Sequence, residues 1–261
     1  MPHVAALYRY PVKGFTPERR PHLVIQDDGR VQGDRALVFR FADAVEPEDA
    51  TFPKSRGLAL MTFPTLARIA LTYDDGQQTL RLQVDDIDIE SDLSPQGRAR
   101  LVDAVTTYLR STSDARLLDA EGVLPLALIG DGRTARFQDR PQGYISLHGE
   151  ASVAELDAAV SAPVDDRRFR SNIVVSGAPA WAELGWQGRI RIGEVVFDVQ
   201  KPIERCAAIT ANPDSGVRDA RLLRVLTTEF EQDAPTLGIL LLPAEGGGVI
   251  REGDEVRDES D

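Results

Sequence analysis

Two Asp-Gly pairs, each set between β-rich stretches, favour antiparallel β structure in the first third of this sequence. Residues 68–84 alternate apolar and polar side chains on both sides of Asp75-Gly76. Such a period-two pattern is typical of two half-buried strands joined by a tight turn. Residues 22–41 place a second pair, Asp28-Gly29, between two further β-rich segments. The sequence therefore predicts two hairpins within an antiparallel sheet or barrel.

Three helices are predicted between the strands. Ser94 is a good N-cap and Pro95 suits the first helical position, so the first helix begins there. The apolar residues on its predicted buried face are Leu101, Val105, Tyr108 and Leu109. Ser152 and Glu155 have the spacing of a capping box, which predicts the start of a second helix. A third helix is predicted over residues 219–230, where apolar residues recur at helical spacing.

Strand patterns dominate the rest of the chain. They cover residues 124–130, 169–175, 190–199, 206–210, 236–243 and 249–257. Because strands outnumber helices and occur as hairpins rather than βαβ units, the sequence predicts a mostly β (α+β) fold. The small polar residues 111–114 indicate a junction. We therefore expect an N-terminal antiparallel β-barrel-like domain over residues 1–114, packed on a second β-barrel domain over residues 115–261 with a few peripheral helices.

Composition and charge exclude several classes of protein. The net charge of −12 argues against generic nucleic-acid binding, which depends on Lys and Arg that neutralise phosphates. The single Cys excludes an intramolecular disulfide, a four-Cys iron–sulfur cluster and a Cys-rich zinc site. Residues 1–10 lack the pattern of a signal peptide, and no stretch approaches about 20 apolar residues. We predict a cytoplasmic protein with neither a nucleic acid nor a membrane as partner.

The segment that ends in the single cysteine is one candidate site. A lone Cys is usually a small hydrophobic residue of a core, and that interpretation stays open for Cys206. The alternative is functional, because the charges of Lys201 and Arg205 favour a thiolate, the form that attacks or binds a soft metal. Pro202 places the segment at a strand start or a sheet edge, where a following side chain can face a cleft.

A second candidate site combines arginine and amide side chains. If residues 169–175 extend a strand, then Arg168, Arg170 and Asn172 project to one face. That face is either a solvated sheet surface or a site for an anionic ligand rich in hydrogen-bonding groups. A third candidate is the cationic side chain of Lys13, which follows a turn predicted at Pro11.

Six segments, in order, resemble the MOSC family, the module at the C-terminus of molybdenum-cofactor sulfurases. The resemblance includes the β-barrel domain that precedes this module in the amidoxime-reducing component and its bacterial relatives. The segments are YPVKG at 10–14, GDR at 33–35, ASVAEL at 151–156, RFRSNIVV at 168–175, RC at 205–206 followed by NPDSG at 212–216, and GDEV at 253–256. The resemblance implies that the second β-barrel domain is of the MOSC type.

The resemblance also implies a molybdenum cofactor of the molybdopterin type, bound between the two domains. Cys206 stands at the position of the thiolate that ligates the metal. The residues that stand where the family holds the cofactor, or beside that site, are Lys13, Gly14, Arg35, Arg170, Asn172, Glu204 and Arg205. The implied activity is reduction of small N-hydroxylated substrates, with electrons from an external donor such as a reductase or a ferredoxin-like protein.

Two alternatives to that activity stay open. The first is a non-catalytic carrier of the molybdenum cofactor, or of sulfur as a Cys206 persulfide. The second is a MOSC-like scaffold that has lost the cofactor. Gly14 in place of the family's serine removes a hydroxyl donor, and Ser171 replaces a proline without an expected cost. Glu204 would repel phosphate unless it accepts hydrogen bonds from the pterin or pairs with Arg205.

Overall fold

The computed structural model describes residues 1–44, 52–139 and 142–259. Its strands are β1 (His3–Arg9), β2 (Glu18–Arg19), β3 (His22–Ile25), β4 (Val38–Arg40), β5 (Ala70–Asp74), β6 (Thr79–Val84), β7 (Ile87–Asp92), β8 (Ala127–Ile129), β9 (Ile145–Gly149), β10 (Ile173–Ser176), β11 (Arg189–Ile192), β12 (Val195–Glu204), β13 (Thr236–Pro243), β14 (Gly248–Arg251) and β15 (Val256–Asp258). Its helices are α1 (Pro95–Arg110), α2 (Glu150–Ala158) and α3 (Leu222–Thr228). The mostly β prediction is confirmed.

In the described part of the chain, the largest sheet has eight strands and curls into a half-barrel. Their order is β15-β11-β12-β13-β9-β10-β1-β2. Strand β10 runs parallel to β9, whereas β1 pairs antiparallel with β10. Strand β1 thus joins the start of the chain to strands from its second half. The buried apolar cluster of this region includes Leu7, Leu147, Ile173, Phe197 and Leu241.

A three-stranded antiparallel sheet and a helix form much of the N-terminal region. Strands β5 and β6 pair across the turn at Asp75-Gly76, and β7 pairs with β6. The side chains of Leu71 and Tyr73 are buried between exposed neighbours, so the predicted period of two is confirmed. Helix α1 begins as predicted, because the Ser94 hydroxyl accepts the Gly97 N–H at 3.1 Å. The predicted apolar face of α1 is buried.

The hairpin predicted around Asp28-Gly29 forms, but it is short: Ile25 pairs antiparallel with Val31, and the Gln32 N–H donates to the Val24 carbonyl at 2.9 Å. The tight turn forms, since the Gln26 N–H donates to the Arg30 carbonyl at 2.8 Å. However, β3 pairs with β14 and β4 pairs with β8. The reason is a second bend, in which Gly33 and Arg35 both have positive φ angles (71° and 52°) and lead the chain away from β3. The local turn residues therefore determined the short hairpin but not the pairing of β3 with β14 or of β4 with β8.

The starts of α2 and α3 also differ from prediction. Helix α2 has Gly149 as its N-cap, so the predicted capping box at Ser152 is wrong. The Ser152 hydroxyl is buried inside the helix and donates to the Glu183 carboxylate at 2.8 Å. Helix α3 begins at Leu222 rather than near Asp219, because the Asp219 carboxylate instead accepts from the Arg168 guanidinium at 2.8 Å. Both side chains thus bind residues far along the chain, so Ser152 does not cap α2 and Asp219 does not begin α3.

Two predicted strand segments contain short 3₁₀ turns. Residues 206–210 do not form a strand: Cys206 precedes the 3₁₀ turn Ala207–Thr210. The Thr210 hydroxyl donates to the Ala207 carbonyl at 2.7 Å and holds this turn. The strand predicted over residues 169–175 begins only at Ile173, after the 3₁₀ turn Asp166–Phe169. Among the described residues, no helix has the length and apolar character that a membrane span requires.

Candidate functional site

A cavity of about 430 Å³ lies between the N-terminal region and the end of β12. It brings together every predicted site residue except Asn172. Its cationic lining residues are Lys13, Arg35, Lys54, Arg168, Arg170 and Arg205. Its apolar lining residues are Ala59, Leu60, Met61, Phe169, Ile203, Ala208, Ile209 and Leu240. In a chain whose net charge is −12, these cations are gathered at one place.

Main-chain hydrogen bonds between two N-terminal segments place Lys13 and Arg35 in the cavity. The Arg35 N–H donates to the Tyr10 carbonyl at 2.6 Å, and the Lys13 N–H donates to the Leu37 carbonyl at 2.8 Å. The Asp34 carboxylate accepts the Tyr10 N–H at 2.7 Å. The Asp34 carboxylate also pairs with the Arg35 guanidinium. The YPVKG and GDR segments therefore form one unit of the wall.

The backbone at Gly14 has a conformation that favours glycine. Its φ angle of 84° is one that residues with a side chain rarely adopt. A Cβ atom at this position would also lie well inside van der Waals contact of the Leu58 carbonyl oxygen. A serine here would strain the backbone and displace the Leu58 carbonyl, so in this wall Gly14 offers its backbone to a ligand.

Arg170 enters the cavity from an irregular backbone position rather than from a strand. It ends the 3₁₀ turn Asp166–Phe169 in the left-handed conformation, with φ of 55°. Its guanidinium donates to the Phe15 carbonyl and lies 4.5 Å from the centre of the Tyr10 ring. Burial lowers the pKa of Arg170. Among the described residues, its guanidinium contacts a carbonyl and an aromatic ring, and neither carries the full negative charge of a carboxylate.

The predicted common face of Arg168, Arg170 and Asn172 is wrong, because the turn breaks the alternation. Arg168 is buried and pairs with the Asp219 carboxylate at 2.8 Å. Asn172 is also buried and does not line the cavity. Its amide donates to the Tyr8 carbonyl at 3.1 Å and accepts from the Ser146 hydroxyl at 3.0 Å. Asn172 thus joins strands β1 and β9 beneath the site.

A register shift in β12 presents four consecutive residues to the cavity. The pairing of β12 with β13 shifts between Pro202 and Glu204. Such bulges re-aim side chains, and here the residues from Ile203 to Cys206 all line the cavity. The Arg205 guanidinium donates to the carbonyls of Leu237 and Phe169, each at 2.7 Å. Burial lowers the pKa of Arg205 to about 10.

Cys206 lies on the cavity wall and is half-buried. Its Sγ is 3.8 Å from the Nζ of Lys54, a residue without any sequence signal. Lys54 Nζ lies 3.3 Å from one Asp139 oxygen, and Lys13 Nζ lies 2.6 Å from the other. Asp139 thus connects both lysines, and neither Lys54 nor Asp139 belongs to a motif that could have revealed it. Lys201, which was expected to favour a thiolate, does not line the cavity.

Burial and charge set the protonation of two further groups. Burial lowers the pKa of Lys13 to about 8, although Asp139 opposes this shift. His148 is buried behind the wall, and its two ring nitrogens have no hydrogen-bond partner within the described residues. Burial and the nearby Arg205 charge lower the pKa of His148 to about 3. His148 therefore stays neutral and adds no charge to the site.

The side chains of the cavity that could ligate a metal are too few to hold a bare ion, and they favour a metal that arrives with other ligands already bound. Groups of three or more His, Cys, Asp or Glu side chains suited to a metal ion do not occur among the described residues. Cys206 supplies one soft sulfur donor, and the surrounding cations suit phosphate or other anionic groups. The residues present therefore fit an anionic organic cofactor that carries its own metal.

The fold and the cavity define a mostly β protein with a cation-rich site around a single thiol. Sequence models of the MOSC N-terminal beta barrel domain and of the MOSC domain match residues 1–116 and 134–257. The chain therefore belongs to the MOSC family, as the sequence motifs indicated.

Two curated relatives show which proteins the chain is similar to. It is 26% identical to a molybdenum cofactor sulfurase of Caenorhabditis briggsae, over 98% of this chain and 36% of that protein. It is 29% identical to mitochondrial amidoxime-reducing component 1 of Xenopus laevis, over 58% of this chain and 48% of that protein. The chain thus spans between a third and a half of these relatives. The solved structure of the YUAD protein from Bacillus subtilis is 13% identical, with a TM-score of 0.43, over 98% of this chain and 94% of that chain.

Proposed function

We propose that this chain binds a molybdenum cofactor and reduces N-hydroxylated compounds with electrons from a separate redox partner. The observation that carries the proposal is the single thiol of Cys206, half-buried on a cavity wall that also presents buried cations from distant parts of the sequence. The similarity to proteins named as amidoxime-reducing components supports the reaction class.

The cavity offers distinct groups to the metal and to the anionic part of the cofactor. Cys206 would ligate the metal through Sγ. Lys13, Arg35 and Arg170 would hold the phosphate, because guanidinium and ammonium groups form charge-assisted hydrogen bonds with its oxygens. The Gly14 N–H is available for the same anion. When bound, the cofactor would supply the two-electron chemistry that removes oxygen from nitrogen.

The protein itself would orient the cofactor and keep its charge neutralised. Arg170 and Arg205 are already fixed by main-chain carbonyls, so a ligand would meet them without further ordering. Lys54 would remain beside the sulfur, held by Asp139. The apolar residues that follow Cys206 would limit the access of water.

Electrons would come from another protein. This sequence has one cysteine, which the proposal uses as a ligand, so the reductant is expected to be an external reductase or ferredoxin-like protein. The net charge of −12 would favour a basic docking surface on that partner.

A second candidate function is carriage of the cofactor, or of sulfur as a Cys206 persulfide, without turnover. The similarity to molybdenum cofactor sulfurases over 98% of this chain favours it. Both candidates require Cys206 and the cationic cavity. They differ in whether the loaded protein reduces a substrate.

Metal analysis combined with a turnover assay tests both candidates. Protein purified from a host that makes the cofactor is expected to contain about one molybdenum per chain, as one ligand site implies. It should reduce an amidoxime with an artificial electron donor. Stoichiometric molybdenum without reduction would favour the cofactor carrier, and background molybdenum would contradict both the reductase and the cofactor carrier. Cys206→Ala should fold normally and lose activity, whereas wild-type activity in this variant would remove Cys206 from the mechanism.

A further inference from the structure

Asp139 is a carboxylate that several cations of the cavity share. Its two oxygens lie 2.6 Å from Lys13 Nζ and 3.3 Å from Lys54 Nζ. Although burial opposes the shift, these two lysines lower the pKa of the Asp139 carboxyl. The charge of Asp139 also acts to raise the pKa of Arg35 and of Arg170, against the effect of their burial. Asp139 is thus a common counter-charge for cations from distant parts of the sequence.

The other carboxylate on the described wall does not share this role. Glu204 is exposed, and it forms no ion pair with any residue that the structure describes. Its pairing with Arg205, one of the arrangements expected from the sequence, does not form. The Arg205 guanidinium instead donates to the Leu237 and Phe169 carbonyls, each at 2.7 Å. Within the described cavity, the negative charge that contacts the lysines therefore comes from Asp139.

The two partners of the shorter ion pair differ in burial. The Lys13 side chain is 8% exposed, and its ammonium also donates to the Phe52 carbonyl. The Asp139 side chain is 44% exposed. A carboxylate with that access to water can turn toward solvent at a small cost, whereas a buried ammonium has no solvated alternative nearby. A ligand that replaces this contact would therefore displace Asp139 and leave Lys13 in place.

We propose that Asp139 is a positioning residue that occupies the anion subsite of the empty cavity and holds Lys13 charged and oriented until the phosphate of a ligand displaces it. This inference rests on the proposed function and concerns the same site. One Asp139 oxygen would exchange Lys13 for solvent, while the other would keep its contact with Lys54. As a tethered competitor, the carboxylate weakens the binding of anions that need Lys13.

The pH separates two opposite effects of this carboxylate on anion binding. Asp139 competes with an anion for Lys13 wherever Lys13 is charged. Burial lowers the pKa of Lys13 to about 8, and Asp139 opposes that shift, whereas the charges of Arg35 and Lys54 add to it. Without Asp139 the pKa of Lys13 would therefore fall further. Loss of the carboxylate should strengthen anion binding at low pH and make that binding fail at a lower pH than in the wild type.

Calorimetric titration with sulfate tests the proposal on the whole chain, purified from a host that does not make the cofactor. Sulfate stays dianionic over the pH range used, so changes in affinity report on the protein. At about pH 6, below the pKa of Lys13, Asp139→Asn should bind sulfate about tenfold more tightly than the wild type. At about pH 8 the gain should be lost, because Lys13 of the variant is then neutral. Adding Lys13→Met to Asp139→Asn should abolish the gain at the lower pH.

Asp88→Asn is the matched control. Asp88 also forms an ion pair at 2.6 Å, with the exposed Arg81, but it does not line the cavity, and its substitution changes the net charge equally. This variant should bind sulfate as the wild type does at both pH values. A gain in affinity at Asp139 cannot arise from a damaged fold, so it distinguishes competition for Lys13 from a merely structural role.

Three results would overturn the inference: Asp139→Asn binding sulfate no more tightly than the wild type at about pH 6, a gain that persists when Lys13→Met is added, or an equal gain in Asp88→Asn. The titration involves no molybdenum, so any of these results would leave ligation by Cys206 untouched. Conversely, background molybdenum in protein from a cofactor-producing host would contradict the proposed function without changing the sulfate result.

Discussion

Two charged groups, one around the buried Arg9 and one formed by the partly exposed Arg170 and Arg205, show how this protein treats structural and ligand-facing charge differently. Arg9 is 4% exposed and pairs with Glu18 and Asp75, each at 2.7 Å. In the cavity, Arg170 and Arg205 are bonded instead to main-chain carbonyls. The first group has its counter-charge built in. The second is stabilised only in part, which leaves positive charge for an anionic ligand.

The pKa shifts follow the same division. Although burial opposes its charge, Glu18 and Asp75 raise the pKa of Arg9. Burial instead lowers the pKa of Arg170 and of Arg205. A buried cation without a counter-charge reduces stability, and such strain is common where a ligand later supplies the missing partner. The difference therefore separates Arg9, which stabilises the fold, from Arg170 and Arg205, whose charge stays available to a ligand.

The largest effect is expected at the compensated group. Arg9→Met should lower the free energy of unfolding by about 3–5 kcal/mol, because it leaves the buried Glu18 carboxylate without its partner. Urea denaturation measures this change. Arg19→Met is the control, since the exposed Arg19–Glu252 pair at 2.9 Å should be worth less than about 1 kcal/mol. Similar losses in both variants would contradict a special role for the Arg9 group.

Lys13 should give the cavity a distinct pH dependence. In the folded protein, burial holds the pKa of Lys13 at about 8, well below its ordinary value of 10.5. Between these values the unfolded chain holds a proton that the folded protein has lost, so the cofactor-free protein should gain stability as pH rises. The gain should not exceed about 3 kcal/mol, and Lys13→Met should abolish it. Retention of cofactor should weaken over the same range, because Lys13 loses its charge. Identical pH profiles in the wild type and Lys13→Met would remove Lys13 from this explanation.

Gly14→Ser tests whether the cavity wall can accept the family's serine. The positive φ angle and the nearby Leu58 carbonyl should lower the free energy of unfolding by about 2 kcal/mol, with no gain in cofactor content. Gly185→Ser is the control, because a Cβ there meets no atom within 4 Å. Thermal unfolding of both variants gives the comparison. A more stable Gly14→Ser protein with more cofactor would show that the wall adapts.

The smallest effect on stability is expected at the uncompensated group. Arg170→Met should change the free energy of unfolding of the cofactor-free protein by less than about 1 kcal/mol, since it removes a charge that burial disfavours. The same variant should lose most of its cofactor, as measured by molybdenum content. A large loss of stability with unchanged cofactor content would reverse the distinction between the two groups of arginines.

Local patterns predicted the regular parts of the fold well. The strands β5 and β6 and the start of α1 follow from alternation, a turn pair and an N-cap, which act within a few residues. The partners of β3 and β4 depend on a bend at Gly33 and Arg35 and on strands far along the chain. Such long-range pairing leaves no local signature, so the sequence predicted the short hairpin at Asp28-Gly29 but not the strands that pair with β3 and β4.

The candidate site was predictable where motifs mark it and hidden where only tertiary structure assembles it. Cys206, Arg170 and Lys13 belong to segments that resemble the family. Asp139 pairs with Lys13 across 126 positions of sequence, and no motif contains it. The strand predicted for Arg168, Arg170 and Asn172 failed because a left-handed residue ends a 3₁₀ turn there, a feature that alternation does not reveal.

Molybdenum K-edge X-ray absorption of the wild-type and Cys206→Ser proteins, prepared in the same cofactor-producing host, tests the proposed ligand most directly. We predict that the metal in the wild-type protein has one more sulfur neighbour than the metal retained by the variant. The same number of sulfur neighbours in both proteins would contradict ligation by Cys206.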